Sequence, residues 1–288
     1  MYFKFTELMK QTYSLHKITD ASDFGFCPDD YSRFKFGDDA VAAKFGISLA
    51  DGFIAHHLSG RSIPQLVVVS SPYAFIPTAT FAMKNHFVFR LNRWLATNGH
   101  PVLQETKVHR TITYKEDYGE LDAEQRLKLI GNDSFHIDRE FLAGKTILFL
   151  DDIRITGGHE RMILKMVEAY QLTNEMYMLY FAELQNHNIH PNIENYLNYH
   201  YVKSVFHLEK IIQDEHFCIN TRIVKYILNY DFDSFCIFLQ NQSDKFIHLL
   251  YDMALGNGYH TIEAYQRNLH YINSYIFHRK HKSIEHGN

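Results

Sequence analysis

The sequence predicts an α/β protein built on a parallel sheet, preceded by an N-terminal appendage and followed by an all-helical extension. Three observations predict it. Short apolar runs at Leu66–Val69, Ile147–Leu150 and Met176–Glu183 alternate with longer segments of helical period, which is the signature of parallel strands joined by crossover helices. Strand signals stop near residue 190, and helical patterns follow one another to the end. Hydrophobic residues make up 46% of the 288 positions and aromatic residues 15%, enough to bury a sizeable core. The expected division is an appendage over 1–60, an α/β core over 61–190 and a helical extension over 191–288.

Charge and cysteine content narrow the partners. A formal net charge of −4 supplies no electrostatic drive toward nucleic acid, and the basic stretch Arg279–Lys282 reads as a solvated tail. Cys27, Cys218 and Cys236 are few and widely spaced, so neither a disulfide framework nor a zinc site is indicated. The first residues lack the apolar stretch of a signal peptide, and no apolar run approaches the ~20 residues of a membrane span. A cytoplasmic protein that engages neither membrane nor nucleic acid is expected.

In the appendage, Tyr31-Ser-Arg33-Phe34-Lys35-Phe36 alternates apolar and polar positions and predicts a short strand. Arg33 and Lys35 would share its polar face and could meet phosphate there. A helix is expected from Ala40 to His57. Leu66–Val69 reads as a buried strand, Ser70–Thr78 as a loop and Ala79–Thr97 as an amphipathic helix, with Lys84, Arg90 and Arg93 on its solvated side. Val102–Arg110 is a second strand, carrying Lys107, His109 and Arg110. A polar stretch bearing Lys115 follows, then a segment from Asp122 to Phe135. Helices are expected at about 193–199, 202–213, 219–228, 232–240, 243–256 and 261–277, their aromatic stripes forming a core. Asn186–Pro191 carries His187 and His190, where chance proximity outweighs a metal site.

The chemistry concentrates between Lys145 and Glu160. The apolar run Ile147–Leu150 leads into Asp151 and Asp152, three further residues, then Thr156-Gly157-Gly158-His159 and a helix-forming segment. A glycine turn that opens a helix offers backbone N–H groups and the positive end of the helix dipole to an anion, and phosphate is the usual one. Carboxylates beside such a cradle suit ribose hydroxyls or a hard divalent cation. A phosphorylated sugar is therefore the expected ligand, with the Thr156–His159 turn as the anion site.

These residues resemble the signature of the type I phosphoribosyltransferases: an apolar strand, two acidic residues, three variable positions and a Thr-Gly-Gly turn. His159 departs from it, since a hydroxyl residue normally stands there. The resemblance implies a type I phosphoribosyltransferase core that binds phosphoribosyl pyrophosphate (PRPP), with Asp151 and Asp152 on the ribose hydroxyls and Mg²⁺, and the Ile155, Thr156, Gly157, Gly158, His159, Glu160 turn on the 5′-phosphate. By position in the chain it implies that the loop of Ser70, Ser71 and Tyr73 holds pyrophosphate. The stretch from Lys107 through Arg110 and Lys115 resembles the basic strand and lid of ComF-like members, which places Lys107 and Arg110 among the catalytic groups. The Tyr31–Gly37 segment together with the helical tail is similar to a branch associated with tellurite-resistance and stress gene clusters.

The resemblance implies a base or nucleotide as second substrate and leaves room for a homodimer. Two alternatives stay open on the residues alone. One is a non-catalytic PRPP or nucleotide sensor. The other is a phosphohydrolase using the acidic pair as a metal site. A haloacid-dehalogenase-type phosphatase is disfavoured, because Ile153 stands where its second carboxylate is needed.

Overall fold

The computed structural model describes residues 10–70, 73–107, 109–110 and 135–285. Five strands, β1 (Lys10–Ile18), β2 (Leu66–Ser70), β3 (Gln104–Lys107), β6 (Thr146–Arg154) and β7 (Met176–Leu184), form one sheet in the order β1-β7-β6-β2-β3. Every pairing in it is parallel. Two short strands, β4 (His109–Arg110) and β5 (Phe135–His136), pair antiparallel apart from it.

The helices are α1 (Pro28–Lys35), α2 (Asp39–Phe53), α3 (Ala79–Thr97), α4 (Arg139–Leu142) and α5 (Gly158–Ala169), then α6 (Ile193–Asn198), α7 (Leu208–Ile212), α8 (Thr221–Leu228), α9 (Phe232–Gln240), α10 (Asp244–Gly256) and α11 (Glu263–Glu285). A π-helical turn, Ile54–Leu58, extends α2. Among the described residues no helix is long and apolar enough to cross a membrane.

Both faces of the sheet are covered, as parallel sheets require. Val68, Leu148, Leu150, Leu179 and Phe181 point to one face and pack under α2 and α3. Val67, Phe149, Met178 and Tyr180 point to the other, toward Leu164 and Val167 of α5. Each fully buried aliphatic side chain contributes about 1.5–3 kcal/mol, so the alternation itself fixes which way every neighbouring polar residue must leave its strand.

The expectation for residues 1–60 needs two corrections. Lys10–Ile18 is an edge strand aligned with β7, Tyr13 opposite Leu179, and α1 and α2 contribute Tyr31, Phe34, Phe45 and Phe53 to the main core. This segment is thus built into the α/β unit. Tyr31–Lys35 is helical rather than extended: Pro28 opens α1, Asp29 and Asp30 occupy its first turn, and its buried residues Tyr31, Ser32, Phe34 and Lys35 follow a helical spacing. Proline at the first position and acids at the positive end of the dipole favour a helix here.

The C-terminal helices form their own core around Phe235, Phe238, Leu250 and Ile272, and into it the α/β unit inserts Phe36 and Ile76. Thr221 Oγ1 donates to the carbonyl of Ile76 at 2.9 Å, and Asn257 Oδ1 accepts the N–H groups of Phe75 and Ile76, each at 3.0 Å. Asn220 Nδ2 donates to the Lys35 carbonyl at 3.2 Å, and Cys218 N donates to the Gly37 carbonyl at 2.9 Å. At Gly37 (φ 96°) a Cβ would stand 2.4 Å from the Cys218 carbonyl oxygen, so only glycine permits this approach. The helical unit therefore holds two segments that border the acidic pair, the loop after β2 and the end of α1.

Candidate active site

Strand β6 continues through Asp151 and Asp152 to Arg154, beyond its last partner on β2, Leu150 opposite Ser70. Because the two aspartates lie within a strand, they leave it in opposite directions. Asp152 follows Leu148 and Leu150 toward α1 and α3, whereas Asp151 follows Ile147 and Phe149 toward the start of α5.

Asp152 is buried. Its Oδ2 accepts Tyr31 Oη at 2.6 Å and the Lys35 ammonium, and its Oδ1 accepts Thr80 Oγ1 at 3.1 Å. Burial alone would raise its pKa; the Lys35 charge and the hydrogen bonds from Lys35 and Tyr31 outweigh that and hold it well below the usual carboxylate range. Burial first, then the Asp152 charge, push the Tyr31 phenol far up, so it remains a donor.

Asp151 is half-buried. Its Oδ2 stands 2.6 Å from His159 Nδ1, and its Oδ1 accepts the Asp152 N–H at 3.0 Å. His159 thus brings a ring nitrogen to the acidic pair from the first turn of α5. The turn bends sharply into α5. Gly157 sits at φ 68° and ψ 16° at the helix start, a left-handed conformation that suits glycine. The first α-helical bond is Arg161 N to the Gly157 carbonyl at 3.0 Å, which sets the positive end of the α5 dipole at the glycine turn.

Two guanidinium groups border this turn: a Cβ placed on Gly157 would lie 3.4 Å from Arg154 Nη2 and 3.5 Å from Arg161 Nη1. Arg161 Nη1 also donates to the Thr156 carbonyl at 2.8 Å. Thr156 itself is exposed, and Ile155 packs partly against the main core.

Glu160, expected among the phosphate-anchoring residues, turns its side chain into an ion network under the turn. Its carboxylate is buried and accepts Lys10 Nζ at 2.5 Å, Arg154 Nε at 2.6 Å and Tyr180 Oη at 3.1 Å. Burial opposes its ionisation, but Lys10, Arg154 and Tyr180 together lower its pKa. Arg154 also donates to Glu183 Oε1 at 2.5 Å, and Ser14 donates to Glu183 Oε2 at 2.8 Å. This charge network ties β1, β6, β7 and α5 together beneath the turn and orients Arg154 beside Gly157.

The remaining candidates divide. Lys107, at the end of β3, donates from Nζ to Tyr73 Oη at 2.8 Å and stands 4.5 Å from the Tyr73 ring centroid, so these two do come together at the carboxyl edge of the sheet. Ser70 is the last residue of β2, in register with Lys107. Arg110 pairs through its backbone with Phe135. Ser71 and Lys115, with the rest of 111–134, lie outside the described residues. Arg33, expected to meet phosphate, pairs its Nη2 with Asp38 at 2.5 Å. Lys35, expected to meet phosphate, is turned inward onto Asp152 instead. Lys84, expected on the solvated side of α3, is buried against Glu105 at 2.5 Å.

The expected joint metal site on Asp151 and Asp152 does not fit this donor set. The Asp152 oxygens are occupied by an ammonium, a phenol and a hydroxyl, and Mg²⁺ demands several oxygen ligands in near-octahedral array. Among the described residues no three His, Cys, Asp or Glu side chains converge as a metal cluster.

The acidic strand end, the glycine turn and the doubly covered parallel sheet define a protein with a phosphoribosyltransferase-type core. The family described as PRTase ComF-like matches residues 9–272, and the chain belongs to that family. No curated protein sequence matches it. Among solved structures, the chain is similar to a hypoxanthine phosphoribosyltransferase from Staphylococcus aureus at 10% identity, over 49% of this chain and 74% of that one, with a TM-score of 0.33. It is similar to the hypoxanthine-guanine phosphoribosyltransferase of L. donovani at 15% identity, over 47% and 68%, with a TM-score of 0.29. A point mutant of the Trypanosoma cruzi hypoxanthine phosphoribosyltransferase, complexed with the product IMP, gives 13% identity, 52% and 77% coverage, and a TM-score of 0.27.

Sequence reasoning misses Tyr31, Thr80, Arg154, Arg161 and Lys10. Arg154 and Arg161 flank the motif and could be found from the basic residues bracketing Thr-Gly-Gly. The other three reach the site across the fold and leave no local signal.

Proposed function

We propose that this protein is a PRPP-dependent phosphoribosyltransferase, which joins a nitrogenous base to C1′ of phosphoribose or releases it in the reverse direction. The observation that carries the reading is the contact of the Asp151 carboxylate with His159, the residue after the Gly157–Gly158 turn, with Arg154 and Arg161 bordering that turn. In this reading the backbone of Ile155–Glu160 and the two guanidinium groups hold the 5′-phosphate, while Asp151 accepts hydrogen bonds from the ribose hydroxyls. Tyr73 and Lys107, together with Ser70, Ser71 and Arg110, receive the pyrophosphate.

The C1′–O bond breaks with its electron pair passing to pyrophosphate, and a nitrogen lone pair of the base forms the C1′–N bond. The proton of that nitrogen leaves to pyrophosphate or solvent. Positive charge develops on the sugar ring beside Asp151, and negative charge on the leaving group beside Lys107. Fixed charges so arranged lower the barrier because no solvent must reorganise when the charge appears.

Purified protein incubated with the Mg²⁺ complex of PRPP and a panel of bases should release pyrophosphate and form a nucleotide, and Asp151→Asn should suppress both. Full activity in Asp151→Asn would reject the assignment. A non-catalytic PRPP or nucleotide sensor is the second reading, supported by the engagement of Asp152 by Lys35 and by His159 in place of a hydroxyl residue. Saturable PRPP binding without pyrophosphate release from any base would establish it.

A further inference from the structure

The buried ion pair between Lys35 and Asp152 joins an N-terminal helix to the motif strand, and nothing in the expected chemistry calls for it. A lysine ammonium on that carboxylate puts one positive charge on an oxygen that a divalent ion bridging both aspartates would need. The lysine is anchored from both sides. Tyr31, one helical turn earlier, donates to the same Oδ2; Asn220 binds the Lys35 carbonyl; Phe36 is wholly buried in the C-terminal core. Thr80 occupies the other oxygen. A divalent cation at Asp152 would need to expel a tethered ammonium, break the hydrogen bonds from Tyr31 and Thr80, and pull Asp152 off the face of the sheet that its strand dictates.

We infer that Lys35 is the resident cation of Asp152, so that the protein itself holds no divalent metal across the two aspartates. The single carboxylate left toward the turn, Asp151, meets the ligand, and any Mg²⁺ arrives already bound to the ligand's pyrophosphate. This last clause rests on the phosphoribosyltransferase reading; the statement about Lys35 and metal does not.

Titration of the full-length protein with Mn²⁺, following free Mn²⁺ by electron paramagnetic resonance, tests the inference without a substrate. The expected result is no loss of free Mn²⁺ signal up to millimolar metal in the absence of PRPP. One equivalent of bound Mn²⁺ that disappears in Asp152→Asn would overturn it. Amine labelling read by mass spectrometry gives an independent check on the wild-type chain. Lys35 should label far more slowly than Lys44, whose side chain is 64% exposed, and equal rates would overturn the inference. Repeating the titration with PRPP separates the two readings: absence of PRPP binding rejects the phosphoribosyltransferase assignment while the metal-free result for Lys35 stands.

Discussion

Gly256 lies against the ring of Phe75 so closely that a Cβ there would stand 2.2 Å from Phe75 Cδ1. With Asn257 accepting the N–H groups of Phe75 and Ile76, the end of α10 seats the loop that also carries Tyr73. Gly256→Ala should therefore swing the 55% exposed Phe75 ring aside and cost less than about 1 kcal/mol. Asn257→Ala leaves the part-buried Ile76 N–H without its partner and should cost about 1–3 kcal/mol. Urea denaturation measures both. Affinity for PRPP should fall in each variant, because the loop moves; unchanged stability in both would show that the contact is not formed in solution.

The two aspartates should respond differently to the same substitution. Asp152→Asn leaves the Lys35 ammonium buried without its counter-ion, and breaking a buried pair from one side costs about 3–5 kcal/mol. Asp151, half-buried and away from Lys35, should lose less than about 1 kcal/mol on conversion to Asn. Ligand binding should follow the opposite order once stability is corrected for. Equal destabilisation by the two variants would contradict the separation of their roles by strand alternation.

Acid should unfold this protein through its buried carboxylates. Asp152 and Glu160 both have folded pKa values below their unfolded ones. Their stabilising share is complete above the unfolded carboxylate values of about 4 and is lost as pH falls below them toward the folded values. The urea midpoint should thus stay level from neutral pH down to about 5 and drop steeply below about 4. In Asp152→Asn the acid drop should be shallower, since one of the contributing groups is gone. A wild-type curve flat to about pH 3 would remove this account.

Strands β2, β6 and β7 are legible in the sequence because each is a short apolar run buried on both faces, and α3 because its apolar period persists over 19 residues. Edge strand β1 is not, since Lys10-Gln-Thr-Tyr-Ser-Leu-His-Lys-Ile is half-exposed and carries no run of buried residues. Helix α1 reads as a strand because Tyr31, Arg33 and Lys35 alternate with apolar neighbours over too few residues to separate the two periods. Pro28, Asp29 and Asp30, just before, are the stronger signal. The Thr156–Gly158 turn is legible as far as its glycine geometry, since a Thr-Gly-Gly stretch between strand and helix constrains the backbone locally. What escapes is everything set by tertiary contact: Lys35 turned onto Asp152, and Glu160 drawn into the Lys10–Arg154 network.

The left-handed conformation at Gly157 gives a sharp test of the turn. Any L-residue there costs about 1–2 kcal/mol in backbone strain, and a Cβ would also meet Arg154 Nη2 at 3.4 Å. Gly157→Ala should therefore lower stability by about 1–2 kcal/mol and weaken binding of phosphorylated ligands by more than that strain alone accounts for. Isothermal titration with PRPP and with ribose 5-phosphate measures the second effect. Undiminished affinity for both would exclude the turn as the phosphate site.

Lys107 offers the converse case, a residue whose loss should spare the fold. It is exposed at the end of β3, and its contacts are the Tyr73 hydroxyl and ring. Lys107→Met should leave stability within about 0.5 kcal/mol. A charge-assisted hydrogen bond to pyrophosphate is worth about 1.5–3 kcal/mol, so the same variant should bind PRPP about 10- to 100-fold more weakly. Its affinity for ribose 5-phosphate, which lacks the pyrophosphate, should not change. Equal losses for the two ligands would place Lys107 near the 5′-phosphate and not at the leaving group.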